Sequence, residues 1–108
     1  MNEEMQLHLV NALRNLSTLC YQNAKNKGFW DKKRNVGEAI ALMHSELSEL
    51  LEEYRLPKPD QQKIAEELAD LLIRAFDFAG GFKLDLGLAV VTKMEKNTKR
   101  PRMHGKTC

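Results

Sequence analysis

Apolar residues recur along this chain at intervals of three and four, which is the spacing of one face of an α-helix. The first such segment runs from about Glu3 to Lys25. The second begins at Asn35, the third at Asp60 and the fourth at Asp85, and each of these side chains is well suited to cap a helix. No segment alternates apolar and polar residues as a strand would. The sequence therefore predicts an all-α fold that resembles a four-helix bundle.

The apolar positions of the middle two helices form distinct stripes. In the second helix the stripe consists of Val36, Ile40, Met43, Leu47, Leu50 and Tyr54. In the third helix it consists of Ile64, Leu68, Leu71, Ala75 and Phe78, and we expect Gly80 and Gly81 to end that helix. From Leu68 to Ala79 the third helix is also apolar around much of its circumference, which is typical of burial on more than one side. We therefore expect a homodimer or homotetramer.

Chain length and charge distribution bear on the number of domains, the partners and the localisation of the protein. The chain has 108 residues, and we expect one domain over residues 1–108 with a basic tail from about residue 97 to 108. The net charge of +2 identifies no partner, but acidic residues concentrate between Glu46 and Asp70, whereas basic residues concentrate after Lys93. No apolar run approaches the roughly 20 residues that span a bilayer, and the acidic start does not resemble a signal peptide. We therefore expect a cytoplasmic protein without a membrane partner.

Two acidic pairs carry the strongest chemical signal. Glu46 and Glu49 lie three residues apart on the second predicted helix, and Glu67 and Asp70 lie three residues apart on the third. This spacing places each pair on one helix face, where like charges repel. A short connection makes the two helices antiparallel neighbours, so all four carboxylates can meet around a cation. Hard oxygen donors without cysteine favour Mg²⁺, with Mn²⁺ as a substitute, although an acidic solvated face is the alternative interpretation.

Further motifs accompany these pairs in a fixed order. They are His44 to Glu49, Glu66 to Asp70, Lys93 to Asn97, Arg100-Pro101 and His104-Gly105-Lys106. Together they resemble the compact single-domain branch of the MazG-like nucleoside triphosphate pyrophosphohydrolases, which belong to the all-α NTP pyrophosphatase superfamily. The resemblance covers roughly residues 28–106.

This resemblance implies a site and a reaction. The implied Mg²⁺ ligands are Glu46, Glu49, Glu67 and Asp70. The residues implied to contact the triphosphate or sugar are Lys93, Asn97 and Arg100, with Arg102, His104 and Lys106 as helpers. The implied reaction hydrolyses the α–β phosphoanhydride of a (d)NTP to a nucleoside monophosphate and pyrophosphate, which would remove non-standard or surplus nucleotides. Glu46 and Glu49 are the candidate catalytic residues, and we favour Glu49 as the general base.

Other interpretations stay open. Trp30, in the loop before the second helix, either stacks on a nucleobase or covers the core, and Phe29 beside it has the same two possibilities. Within the enzyme class, a phosphoribosyl-ATP pyrophosphatase is the second hypothesis. Outside it, the chain would be a non-catalytic helical interaction module with a basic tail. Nucleic acid would be a partner only under this last hypothesis, bound through the basic tail, and we do not expect it.

Overall fold

A computed structural model describes residues 1–102 of the chain. It contains four α-helices, which are α1 (Glu3–Asn26), α2 (Val36–Tyr54), α3 (Gln61–Gly81) and α4 (Leu86–Thr98). No β-strand occurs within residues 1–102, so the prediction of an all-α fold is confirmed. None of the helices in this described part of the chain combines the length and the apolar character needed to cross a membrane.

The helices begin where capping side chains can accept hydrogen bonds from otherwise unpaired backbone N–H groups. The Asn35 side chain accepts from the backbone N–H of Glu38, as an N-cap does. Asp60 and Asp85 cap α3 and α4 in the same way. These three predicted helix starts are confirmed.

Helix α3 lies at the centre of the molecule. It packs against α1 on one side and α2 on another, while α4 packs mainly against α1. The most buried apolar side chains come from all four helices and are Val10, Cys20, Ala39, Phe76, Ala79 and Val91. Helices α2 and α4 therefore flank an α1–α3 centre.

The face that α2 presents to the rest of the molecule differs from its predicted stripe. Ile40 and Leu47 are 43% and 45% exposed, whereas Ala39 and Glu46 are buried. Because α2 packs mainly against the single helix α3, only a narrow face of it is covered. Val36 and Tyr54, at the two ends of the predicted stripe, are also exposed. Met43 and Leu50 are half-buried as the stripe predicts, so the prediction is wrong only at its other four positions.

The two glycines at the end of α3 lie inside the helix and allow close packing. A Cβ atom on Gly81 would lie 2.0 Å from the Trp30 ring, and one on Gly80 would lie 2.7 Å from Tyr21 Cβ. The helix ends at Gly81, and Phe82 occupies its C-cap. The helix thus ends where the sequence predicts, but the left-handed residue after its C-cap is Lys83 and not a glycine. The role of the two glycines is to let Tyr21 and Trp30 approach the helix backbone.

Candidate functional site

Three carboxylates converge where α2 and α3 pack together. Glu46 and Glu49 of α2 and Glu67 of α3 each offer one oxygen, and these oxygens all lie within 4.8 Å of one another. Glu46 is buried, Glu67 is half-buried and Glu49 is exposed. The i, i+3 spacing on α2 and the pairing of α2 with α3 produce this convergence. We call these three residues the carboxylate cluster.

The carboxylates of the cluster lie close enough to repel one another. The pKa of Glu49 is raised above its ordinary value, first by a hydrogen bond with Glu67 and then by repulsion from Glu46 and Glu67. Two carboxylates form such a hydrogen bond only if one of them carries a proton. The buried Oε2 of Glu67 accepts no hydrogen bond from any residue in the described range 1–102. A hard divalent cation would satisfy these oxygens in place of a proton, so the donor set fits Mg²⁺ or Mn²⁺.

The buried carboxylate of the cluster is paired with a cation from α3. Arg74 Nε donates to Glu46 Oε1 at 2.6 Å. The Glu46 side chain is 8% exposed, whereas that of Arg74 is 35% exposed. Asp70, one turn before Arg74, is exposed and lies outside the carboxylate cluster. The structure therefore brings three of the four predicted ligands together, and Asp70 stays a prediction as the fourth.

A cavity of about 490 Å³ opens beside Glu46. Its size falls within the range of small-molecule sites in proteins. Charged side chains of both signs line it, namely Glu46, Asp70, Asp77, Lys27, Arg34 and Arg74. Phe29, Ile73 and Asn23 add aromatic, aliphatic and amide surface. The cavity is thus suited to a ligand with both an anionic part and an apolar, hydrogen-bonding part.

One wall of this cavity is held by a buried carboxylate. Asp77 Oδ1 accepts a hydrogen bond from Trp30 Nε1 at 2.7 Å, and Asp77 Oδ2 accepts one from Arg34 at 2.9 Å. The Arg34 guanidinium lies 4.7 Å from the centre of the Trp30 ring, a cation–π distance. The rings of Tyr21 and Phe82 each contact Trp30 edge to face at 5.5 Å.

These contacts determine which of the two candidate stacking residues, Trp30 and Phe29, is accessible to a ligand. Trp30 is half-buried among protein groups and does not line the cavity. Phe29 lines it and is 58% exposed, so Phe29 is the aromatic side chain offered to a ligand. The stacking role of Trp30 stays a prediction.

The buried Cys20 also lines the cavity. Burial, together with the negative charge of Asp77, raises the pKa of Cys20. The thiolate is the reactive form of cysteine, and a raised pKa disfavours it at neutral pH. Cys20 therefore belongs to the packing of α1.

The structure locates the predicted phosphate contacts elsewhere. Lys93 and Asn97 of α4 line a separate, largely apolar cavity of about 480 Å³. The buried Oδ1 of Asn97 has no hydrogen-bond partner within the part of the chain that the structure describes. Arg100 and Arg102 are exposed beyond the end of α4. The remaining two predicted helpers, His104 and Lys106, lie outside the described residues.

The two arginines of the cavity have no distinctive sequence signal. Arg34 follows two lysines in a loop, and Arg74 lies in an apolar stretch of α3, so neither belongs to a recognisable motif. Asp77 lies seven residues after Asp70 and so on the same face of α3. That spacing signals a shared face, but it does not reveal that Asp77 binds Arg34 while Arg74 binds Glu46.

Comparison with known proteins identifies no relative of this chain. No protein-family model, curated protein or solved structure matches this chain.

Proposed function

We propose that this protein is a Mg²⁺-dependent nucleoside triphosphate pyrophosphohydrolase of the MazG-like type, which cleaves the α–β phosphoanhydride of (d)NTPs. One observation carries the proposal: Glu46 belongs both to the carboxylate cluster and to the wall of the 490 Å³ cavity. A cation held by the cluster would therefore face a ligand in the cavity. The order of the acidic and basic motifs in the sequence supports the same reaction.

Each part of the site has a task in this reaction. Glu46, Glu49 and Glu67 would hold Mg²⁺, with Asp70 as a further ligand from α3. Mg²⁺ held there would neutralise phosphate oxygens and lower the pKa of a water molecule. Glu49 is the exposed member of the cluster, and its carboxylate would accept the proton of the attacking water.

The cavity would position the nucleotide. Lys27, Arg34 and Arg74 provide positive charge for an anionic ligand. The exposed ring of Phe29 would stack on the base, and Asn23 would donate to or accept from its polar edge. Holding the nucleotide in this way fixes the anhydride against the carboxylate cluster, and positioning contributes a large share of the rate in phosphoryl transfer.

We further propose that the protein acts in the cytoplasm as a homodimer or homotetramer. Apolar side chains of α2 and α3 that are exposed in one chain support self-association, and they include Ile40, Leu47, Leu51, Leu68 and Leu72. Light scattering at micromolar concentration tests this proposal. A monomer would contradict it.

A second experiment asks whether two subunits share the site. Lys93 and Asn97 line a different cavity from Glu46 in the single chain, so a neighbouring subunit would have to supply them to the carboxylates. Mixing inactive Glu49→Gln and Lys93→Ala proteins should then restore part of the activity. No recovery in confirmed mixed oligomers would contradict a shared site.

The function itself is tested with a panel of dNTPs and Mg²⁺. We expect monophosphate and pyrophosphate as products, no reaction in EDTA, and a loss of at least about 100-fold in kcat for Glu49→Gln. Glu38→Gln is the matched control, because Glu38 is an exposed glutamate about three turns earlier on α2 and should leave kcat unchanged. Nucleotide binding without turnover of any dNTP would support the non-catalytic alternative.

A further inference from the structure

Two arginine–carboxylate pairs line the cavity, and they differ in their freedom to move. In the Arg34–Asp77 pair both side chains are nearly buried, at 14% and 10% exposed, and Trp30 binds each of them. In the Arg74–Glu46 pair the carboxylate is buried, but the arginine is about one-third exposed. The first pair is therefore part of the cavity wall, whereas the second has one partner that can leave.

Arg74 neutralises the buried carboxylate of Glu46 while no divalent cation is present. A buried carboxylate without a partner is costly, so Glu46 needs a positive charge beside it. Arg74 provides that charge through the 2.6 Å hydrogen bond from Nε. A divalent cation bound to Glu46 would supply the same neutralisation and would repel the neighbouring guanidinium. Metal and Arg74 thus compete for one carboxylate.

The surroundings restrict where a displaced Arg74 can go. Asp77, three residues later on α3, already accepts from Trp30 and Arg34. Asp70, four residues earlier, faces the same cavity but is itself a candidate metal ligand. A phosphate group in the cavity offers several anionic oxygens, and a guanidinium can bind two of them at once.

We propose that Arg74 is an exchangeable counter-ion, which neutralises Glu46 in the metal-free protein and transfers to a phosphate group of the nucleotide when a divalent cation occupies the carboxylate cluster. This inference rests on the proposed function, because it takes the cluster as the metal site. It makes Arg74 a substrate-binding residue that couples the two binding events. Nucleotide is then held tightly only when the cation is already in place.

Removing the guanidinium should change the two affinities in opposite directions. In Arg74→Met, Mn²⁺ alone should bind roughly tenfold more tightly, because a competing positive charge is gone. A non-hydrolysable α,β-methylene dNTP, added in saturating Mn²⁺, should bind at least about tenfold more weakly, because a charged hydrogen bond is lost. A purely structural role would weaken both. Arg74→Lys keeps the charge and should leave Mn²⁺ affinity within about threefold of wild type.

Isothermal titration calorimetry measures both affinities, and circular dichroism checks that each variant is folded. Arg14→Met is the matched control, because Arg14 pairs with Asp85 at 2.7 Å and lines a different cavity. It should change neither affinity. Arg74→Gln removes the same charge and replaces Arg74→Met if the latter does not fold.

The outcomes separate this inference from the proposed function. If wild type binds Mn²⁺ but Arg74→Met binds it equally or more weakly, Arg74 is not a competitor and the inference is wrong, while the metal site stands. If Mn²⁺ affinity rises but the analogue binds as in wild type, the transfer to phosphate is wrong. If wild type does not bind Mn²⁺, or if Glu49→Gln binds it equally well, the metal site and the inference both fall.

Discussion

The contact between Gly81 and Trp30 gives the sharpest prediction about stability. A Cβ atom at position 81 would lie 2.0, 2.1 and 2.6 Å from three carbons of the indole ring, so Trp30 must shift in Gly81→Ala. The shift would break the 2.7 Å hydrogen bond from Trp30 Nε1 to the buried Asp77. It would also disturb the edge-to-face contacts of Trp30 with Tyr21 and Phe82.

The size of the effect follows from these contacts. A hydrogen bond to a charged group contributes about 1.5–3 kcal/mol, and each aromatic contact contributes about 0.5–1.5 kcal/mol. Alanine is favoured over glycine inside a helix by about 0.5–1 kcal/mol, which offsets part of the loss. We expect Gly81→Ala to lower the free energy of unfolding by roughly 2–4 kcal/mol, because the ring moves but stays partly packed. At fixed protein concentration this corresponds to a Tm lower by about 10–20 °C.

A double-mutant cycle measured by urea unfolding tests the cause of this loss. In a Trp30→Ala background the clash is absent, so Gly81→Ala should be neutral or slightly stabilising. Gly37→Ala is the control, because Gly37 lies in an exposed first turn where a Cβ would meet only the Asn35 side chain. Two results would refute the reasoning: a wild-type Tm for Gly81→Ala, or an equal loss with and without Trp30.

Three further predictions concern other parts of the molecule. Arg14, chiefly through its hydrogen bonds, lowers the pKa of Asp85. The Arg14–Asp85 interaction therefore stabilises the fold at pH values above the ordinary Asp pKa, and this stabilisation is lost as the pH falls through the lowered pKa. Asp85→Asn should therefore destabilise at pH 7 and approach wild type in strong acid, and a pH-independent difference in urea midpoint would contradict this. Lys83 has a left-handed φ of 58°, so Lys83→Gly should raise the free energy of unfolding by up to about 1 kcal/mol, and a lower Tm would contradict that. Phe29→Ala should raise KM for dNTPs at least about fivefold with little change in Tm, and an unchanged KM would exclude Phe29 as the stacking residue.

The helical architecture could be predicted because its signals are local. Asn35, Asp60 and Asp85 cap the helices that follow them, and each cap depends only on residues two or three positions away. The convergence of Glu46, Glu49 and Glu67 could also be predicted, since it needs only helical spacing and one short connection. Local rules therefore specify the helices and the carboxylate cluster.

Features that depend on tertiary packing could not be predicted in the same way. Helix α2 has apolar residues on more than one face, so its periodicity does not reveal that Ala39, and not Ile40, faces the interior. Gly81 signals a helix end equally well whether or not an indole ring lies against it. The pairing of Arg74 with Glu46 spans 28 residues, and nothing in the local sequence selects one arginine over another.

The fate of the oxygen from water tests the central claim most directly. A dNTP is hydrolysed in ¹⁸O-labelled water with Mg²⁺, and the products are resolved by ³¹P NMR and mass spectrometry. The account predicts nucleoside monophosphate and pyrophosphate, with the label in one of these two products and no reaction when EDTA replaces free Mg²⁺. Labelled orthophosphate together with a nucleoside diphosphate would show cleavage of the β–γ bond and would contradict the account.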